Sequence, residues 1–96
     1  MGKFIASVNI FAENSEIDNV VKALSKLNNI EEVYEVTGEY DIVTVVCTST
    51  LEDFRDTLQK QIMKIKGVKS TISNVVLQPL KGPRCTRKAL HAATTQ

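Results

Sequence analysis

Phe4, Ala6, Val8 and Ile10 alternate with Ile5, Ser7, Asn9 and Phe11. This period of two predicts a β-strand over residues 3–11, apolar on one face and mixed on the other. The pattern then changes. Ile17, Val20, Val21, Leu24 and Leu27 recur at helical spacing. Ser15 is placed to cap that helix, with Asp18 reaching back as in a capping box, and Asn28-Asn29 supplies a stop. Residues 30–37 set Val33, Tyr34 and Val36 among glutamates, which predicts a strand at a charged sheet edge. After a short turn at Gly38, residues 41–48 form a strand rich in Val and Ile, predicted to be central. Strands so close in sequence pair as an antiparallel hairpin.

The second half echoes the first. Thr50-Leu51-Glu52-Asp53 repeats the capping pattern, and Leu51, Phe54, Leu58, Ile62 and Ile65 form a second helical stripe. Gly67 ends the helix, with Lys64 and Lys66 near its negative pole. Residues 68–77 read as the last strand, stopped by Pro79. The order βαββαβ describes two split βαβ halves. The fold class is therefore α+β, a ferredoxin-like sandwich with a four-stranded antiparallel sheet and both helices on one face. Right-handed crossovers favour the sheet order 4-1-3-2.

With both helices on one face, the other must meet water or a partner. The third strand offers either Val43, Val45 and Cys47 or Ile42, Thr44 and Val46 to it. The second offers either Val33, Glu35 and Thr37 or Tyr34 and Val36. At least one central strand is apolar on both faces. Apolar patches larger than a few hundred Å² are rarely left open, so this face is expected to bury itself by self-association.

Composition bounds the picture further. The 96 residues, 43% hydrophobic and 24% charged, suit one ordinary domain. Residues 1–80 carry eight basic against eleven acidic side chains, a net of −3. Residues 81–96 carry Lys81, Arg84, Arg87 and Lys88 without an acid, a net of +4, and form a basic tail expected to be flexible. A slightly acidic body gives no electrostatic reason for direct, specific DNA binding. No apolar run approaches the ~20 residues that span a bilayer, and no secretory signal opens the sequence. Cys47, in the apolar run Ile42 to Cys47, reads as a small buried hydrophobe, and Cys85 lies in the tail. Neither has a CxxC partner or a nearby His, so no disulfide framework or metal site is implied. A cytoplasmic location is expected.

The catalytic candidates are few. His91 is the lone histidine and falls in the tail. There is no Ser-His-Asp set, Cys-His pair or HExxH, and the four glycines form no phosphate-cradling loop. Neither catalytic residues nor a cofactor is expected. One stretch stands apart, Val36-Thr37-Gly38-Glu39-Tyr40-Asp41. Gly38 admits positive φ and brings backbone N–H groups near a guest, and Asp41 supplies a carboxylate. Together they suit a zwitterion, the N–H groups holding a carboxylate and Asp41 an ammonium. The same residues also suit a plain hairpin whose Asp stabilises its turn.

The run from Val33 to Val43, with Ile65-Lys66-Gly67-Val68-Lys69-Ser70-Thr71-Ile72-Ser73, resembles the effector-sensing (RAM-type) domain of the leucine-responsive/AsnC (Lrp/AsnC) family of transcription regulators. The pattern is an apolar-Thr-Gly-x-x-Asp hairpin followed by a Gly-Val-x-x-Thr-x-Thr entry to the last strand. The match extends over about residues 3–80. The resemblance implies a subunit that dimerises through its sheets into a dimeric α/β barrel, with dimers often assembling into octamers. It implies amino-acid effectors bound between subunits, at Gly38, Tyr40, Asp41, Thr71 and Ser73 in this sequence. Ser73 stands where the family has Thr, keeping a hydroxyl and losing a methyl. The family's usual helix-turn-helix domain has no counterpart here, so the chain resembles a stand-alone sensing domain that modulates transcription by assembling with itself or with full-length relatives. One competing reading is a small dimeric α/β-barrel enzyme, a monooxygenase or isomerase, and another is a different βαββαβ amino-acid sensor of the kind appended to biosynthetic enzymes. The Thr-Gly-x-x-Asp hairpin argues for the stand-alone sensing domain, and fold analogy alone does not separate the three.

Overall fold

The computed structural model describes residues 4–78, 80 and 81. Strand β1 (Phe4–Ala12) leads through a 3₁₀ turn (Asn14–Glu16) into α1 (Ile17–Ser25). Strands β2 (Ile30–Glu35) and β3 (Ile42–Thr48) form the hairpin. Helix α2 starts as α-helix at Leu51–Asp56 and continues as π-helix through Thr57–Ile62, and β4 (Val68–Val75) closes the sheet. All pairings are antiparallel, in the order β2-β3-β1-β4. This is the expected ferredoxin-like arrangement, with the charged β2 at an edge and β3 inside. Apart from Lys81, the basic tail lies outside the described residues.

Register resolves the faces. In β1, Ala6, Val8 and Ile10 are fully buried beneath the helices. Their β3 partners are Val46, Thr44 and Ile42, also fully buried, so the even positions of both strands build the core. Val20 and Leu24 of α1 and Phe54 and Ile62 of α2 close it from above. Each large aliphatic so placed contributes about 1.5–3 kcal/mol of transfer free energy. The rings of Phe4 and Phe54, 5.2 Å apart, tie β1 to α2. The other face carries Ile5, Ser7, Asn9 and Phe11 of β1 with Val43, Val45 and Cys47 of β3. Cys47 is half-buried rather than buried, and it is disulfide-bonded, which corrects the expectation that no disulfide is present.

The two helices begin differently. Thr50 caps α2 as expected: its hydroxyl oxygen accepts the Asp53 N–H at 3.0 Å. Ser15 does not cap α1, whose first residue follows a 3₁₀ turn closed by Glu16 N–H on the Glu13 carbonyl. Contacts to the α2–β4 turn take the cap's place. Glu13 N–H donates to the Gly67 carbonyl at 2.8 Å, and Asn19 Nδ2 to the Lys66 carbonyl at 2.9 Å. Leu51 is a second departure. It lies in the predicted apolar stripe but on the solvent side of the first helical turn, 53% exposed. Replacing Thr50→Ala should therefore cost about 1 kcal/mol, seen as a melting temperature lower by roughly 4–8 °C. An unchanged melting temperature would mean that the tertiary contacts of Phe54 and Ile62 alone hold the helix start.

The π-helical part of α2 has a sequence correlate. Phe54, Leu58 and Ile62 fall at strict intervals of four, which drift around an ideal 3.6-residue helix. Wider i→i+5 turns keep them in line over the sheet, and Met63 N–H donates to the Leu58 carbonyl at 2.9 Å.

Candidate functional site

The β2–β3 connection places three of the five expected residues together. Val36 N–H donates to the Asp41 carbonyl at 3.0 Å and closes the loop. Gly38 has φ +115°, a conformation costly for any residue with a Cβ, and a Cβ there would meet open space. Thr37, Gly38 and Glu39 are exposed. Tyr40 folds back onto Phe11, with ring centroids 5.1 Å apart. That contact anchors the loop on the face away from the helices, where Phe11 lies in register with Ser70 of β4.

Asp41 is bound into the sheet. Its N–H donates to the Ile10 carbonyl at 3.1 Å, and its Oδ2 accepts the Ala12 N–H at 2.8 Å. The β1–β4 register shifts between Phe11 and Ala12, a bulge. Bulges remove a backbone N–H from the regular ladder, and the Asp41 carboxylate satisfies the one this bulge frees. The Asp41 carboxylate thus bonds across strands, 29 residues away in sequence, rather than within its own turn. Among the described residues no donor reaches Oδ1, so half of the carboxylate stays available.

Thr71 and Ser73 are not brought to the same spot. Their β1 partners are Ile10 and Val8, so they share the helix-side face of the edge strand β4, Thr71 half-buried and Ser73 exposed. Thr71 stands two strands from Ile42, roughly 10 Å at the usual spacing. Gly38, Tyr40 and Asp41 thus cluster at one sheet end, and the two hydroxyls lie beyond β1 on the other side of the sheet. The backbone N–H of Ala12 and the ring of Phe11 complete the cluster. Alternation signalled Phe11 as an open-face residue, whereas nothing in the sequence signalled Ala12.

Among the described residues the buried polar ones are Asn9, Thr44, Thr48 and Thr57, all uncharged. Among the described residues no group of three or more His, Cys, Asp or Glu side chains could hold a metal ion. No helix among them is long and apolar enough to cross a membrane.

The family model for the Lrp/AsnC ligand binding domain matches residues 5–84. An uncharacterized HTH-type transcriptional regulator of Pyrococcus horikoshii, PH1692, is 33% identical over 76 residues, covering 79% of this chain and 51% of that protein. The chain thus spans about half the length of the curated relatives it matches. Among solved structures, TTHA0845 from Thermus thermophilus is 28% identical with a TM-score of 0.76, covering 84% of this chain and 99% of that one. The feast or famine regulatory protein Rv3291c of M. tuberculosis, solved in complex with L-methionine, is 27% identical with a TM-score of 0.72, covering 84% of this chain and 54% of that one.

Proposed function

Because this chain belongs to the Lrp/AsnC ligand-binding domain family, we propose that it is an amino-acid-sensing, oligomerising module that regulates transcription through its assembly. The observation that carries this reading is the Gly38–Asp41 loop. It presents exposed backbone at a positive-φ glycine beside a carboxylate with one oxygen engaged and the other met by no donor among the described residues. A zwitterion fits that pair: its ammonium donates to Asp41 Oδ1 and its carboxylate accepts from loop N–H groups. The Rv3291c complex with L-methionine supports an amino acid as the ligand class. Thr71 and Ser73 face away from this loop, so they enter the site only from a second copy. That makes the pocket a cleft between subunits and couples occupancy to assembly. The output is a change in self-association, or in association with full-length relatives.

Two variants separate binding from folding. Asp41→Asn keeps an oxygen for the Ala12 N–H and loses the charge that holds the ammonium. Asp41→Ala loses both. A thermal-shift screen of the free amino acids identifies the ligand through its mass-action stabilisation, and calorimetry then gives affinities. A hydrogen bond to a charged group contributes about 1.5–3 kcal/mol, so Asp41→Asn should bind roughly ten- to a hundredfold more weakly with an unchanged circular dichroism spectrum. Asp41→Ala should also melt earlier without ligand. Equal affinity in Asp41→Asn and the parent removes Asp41 from the site. A screen in which no amino acid raises the melting temperature removes the ligand class.

A further inference from the structure

Cys47 stands near the end of β3, on the sheet face away from the helices and in register with Ile5 of β1, and its sulfur is held in a disulfide. The sequence contains two cysteines, Cys47 and Cys85, so within one chain only Cys85 can supply the second sulfur. The strand order brings the C-terminal segment to this place. Val76, just past β4, donates its N–H to the Ile5 carbonyl at 2.9 Å. It therefore stands two strands from Cys47, roughly 10 Å at the usual spacing. Cys85 follows nine residues later, and nine residues reach at most about 30 Å. Bridged cysteines need their Cα atoms only about 5.5–6 Å apart, so the connection is long enough. The face carries two further signs of a cover. Ile5 is only 6% exposed, yet it stands outside the core cluster beneath the helices. The helices lie on the opposite side and cannot supply that cover. Charge is the second sign. Residues 27–50 carry Glu31, Glu32, Glu35, Glu39 and Asp41 with no basic side chain, a net of −5, against +4 in residues 81–96. Glu32 and Tyr34, hydrogen-bonded to each other, share the face of Cys47, and neither Glu31 nor Glu32 is without a partner.

We propose that the chain's own C-terminal segment, residues 82–96, docks on the Cys47 end of this sheet face, pinned by a Cys47–Cys85 disulfide and drawn in by the acidic β2 strand. The occupant is this chain's tail and not a second copy, and the assignment does not depend on amino-acid sensing. Opposite net charges raise the concentration of the tail beside β2 before any bond forms. The bond then forms by thiol–disulfide exchange. One cysteine attacks glutathione disulfide and releases one glutathione thiol; the other cysteine attacks the mixed disulfide and releases the second. Two protons and two electrons leave the cysteine pair and are carried away by the two glutathiones. A dithiol reverses the step. Thiol redox state thus decides whether this end of the face is covered.

The full chain is equilibrated with glutathione disulfide, alkylated, and digested with trypsin without reductant. The expected product is residues 27–55 joined to residues 85–87, separated by dithiothreitol, from a protein that runs as a single chain on denaturing electrophoresis. Reduction should lower the melting temperature by about 10–25 °C, and Cys85→Ser should melt at the reduced value with or without reductant. Two alkylated cysteines after equilibration overturn the proposal. A disulfide joining two chains overturns it as well, because the tail then serves a neighbour. The charge argument has its own arm, read as the equilibrium constant for closing the bond in glutathione buffers. Glu31→Lys combined with Glu32→Lys should lower it about fivefold, and high salt should lower it in the parent. A constant moved by neither overturns the docking and leaves a bare cross-link.

Discussion

Gly67→Ala should destabilise the fold by about 2–6 kcal/mol. Two effects add. Gly67 has φ +105°, and holding a residue with a Cβ there costs roughly 1–3 kcal/mol. The new methyl would also overlap the Cβ of Glu16 and press on Val20 Cγ2 at 3.1 Å, an overpacking cost of about 1–3 kcal/mol. Neither neighbour can give way easily, because Glu16 is fixed by the 3₁₀ turn and Val20 is fully buried. Domains of this size have about 5–15 kcal/mol in total, so the melting temperature should fall by roughly 10–30 °C. Gly38→Ala is the control. It suffers only the backbone strain, since a methyl there points into open space, and should lose about 1–3 kcal/mol. Equal losses in the two variants would mean that close packing at Gly67 contributes nothing.

Val43→Asp should convert the assembled protein to monomers at about 10 µM while leaving the subunit folded. Val43 is half-buried on the open face of the central strand β3, between Tyr34 and Asn9 in register. Its side chain faces away from the core of Ile10, Ile42 and Val46, so a carboxylate there stays hydrated in the lone subunit. Pressed against a second sheet it becomes an unpaired buried charge, costing several kcal/mol, which is a loss of about a thousandfold or more in association. Mass by light scattering and secondary structure by circular dichroism decide the matter together. A variant with the parent's mass shows that the sheets do not meet at Val43. A variant that is monomeric and unfolded shows that the open face supports the subunit itself.

The architecture was legible because it follows from alternation. Phe4 to Ile10 and Ile42 to Thr48 each bury every second residue against the helices, and four such strands with two amphipathic helices leave few topologies. The Thr50 cap was legible because its partner, Asp53, is three residues away. Features that depend on distant neighbours were not. Ser15 has the composition of a cap, yet the start of α1 is set by Lys66 and Gly67, which sit some fifty residues on. The turn glycine at 67 was visible as a helix stop, but its contact with Glu16 was not. Of the candidate site, the loop from Gly38 to Asp41 was legible from the Gly and Asp themselves. The bond from Ala12 to Asp41 was hidden, because a bulge shows only when strands are laid side by side. That Thr71 and Ser73 lie across the sheet from Tyr40 follows from the parity of β4 against β1, a register that no local pattern reveals.

The sheet order has a consequence for how the chain comes off the ribosome. The first half, β1-α1-β2, contains no adjacent strands, because β3 lies between β1 and β2. When residue 35 has emerged, β1 therefore has no neighbour to pair with. The hairpin β2–β3 is the first ladder that can close, and β1 must then insert beside β3 from more than thirty residues back, Ile10 meeting Ile42. Only when Val75 has appeared does β1 gain its second neighbour, Ala6 pairing with Val75 and Val8 with Ser73. Pairings of such long range set in late and slow folding. The nascent chain can pair β1 on one side only once β3 has emerged and on both sides only once β4 has, so the two interleaved halves complete the sheet together.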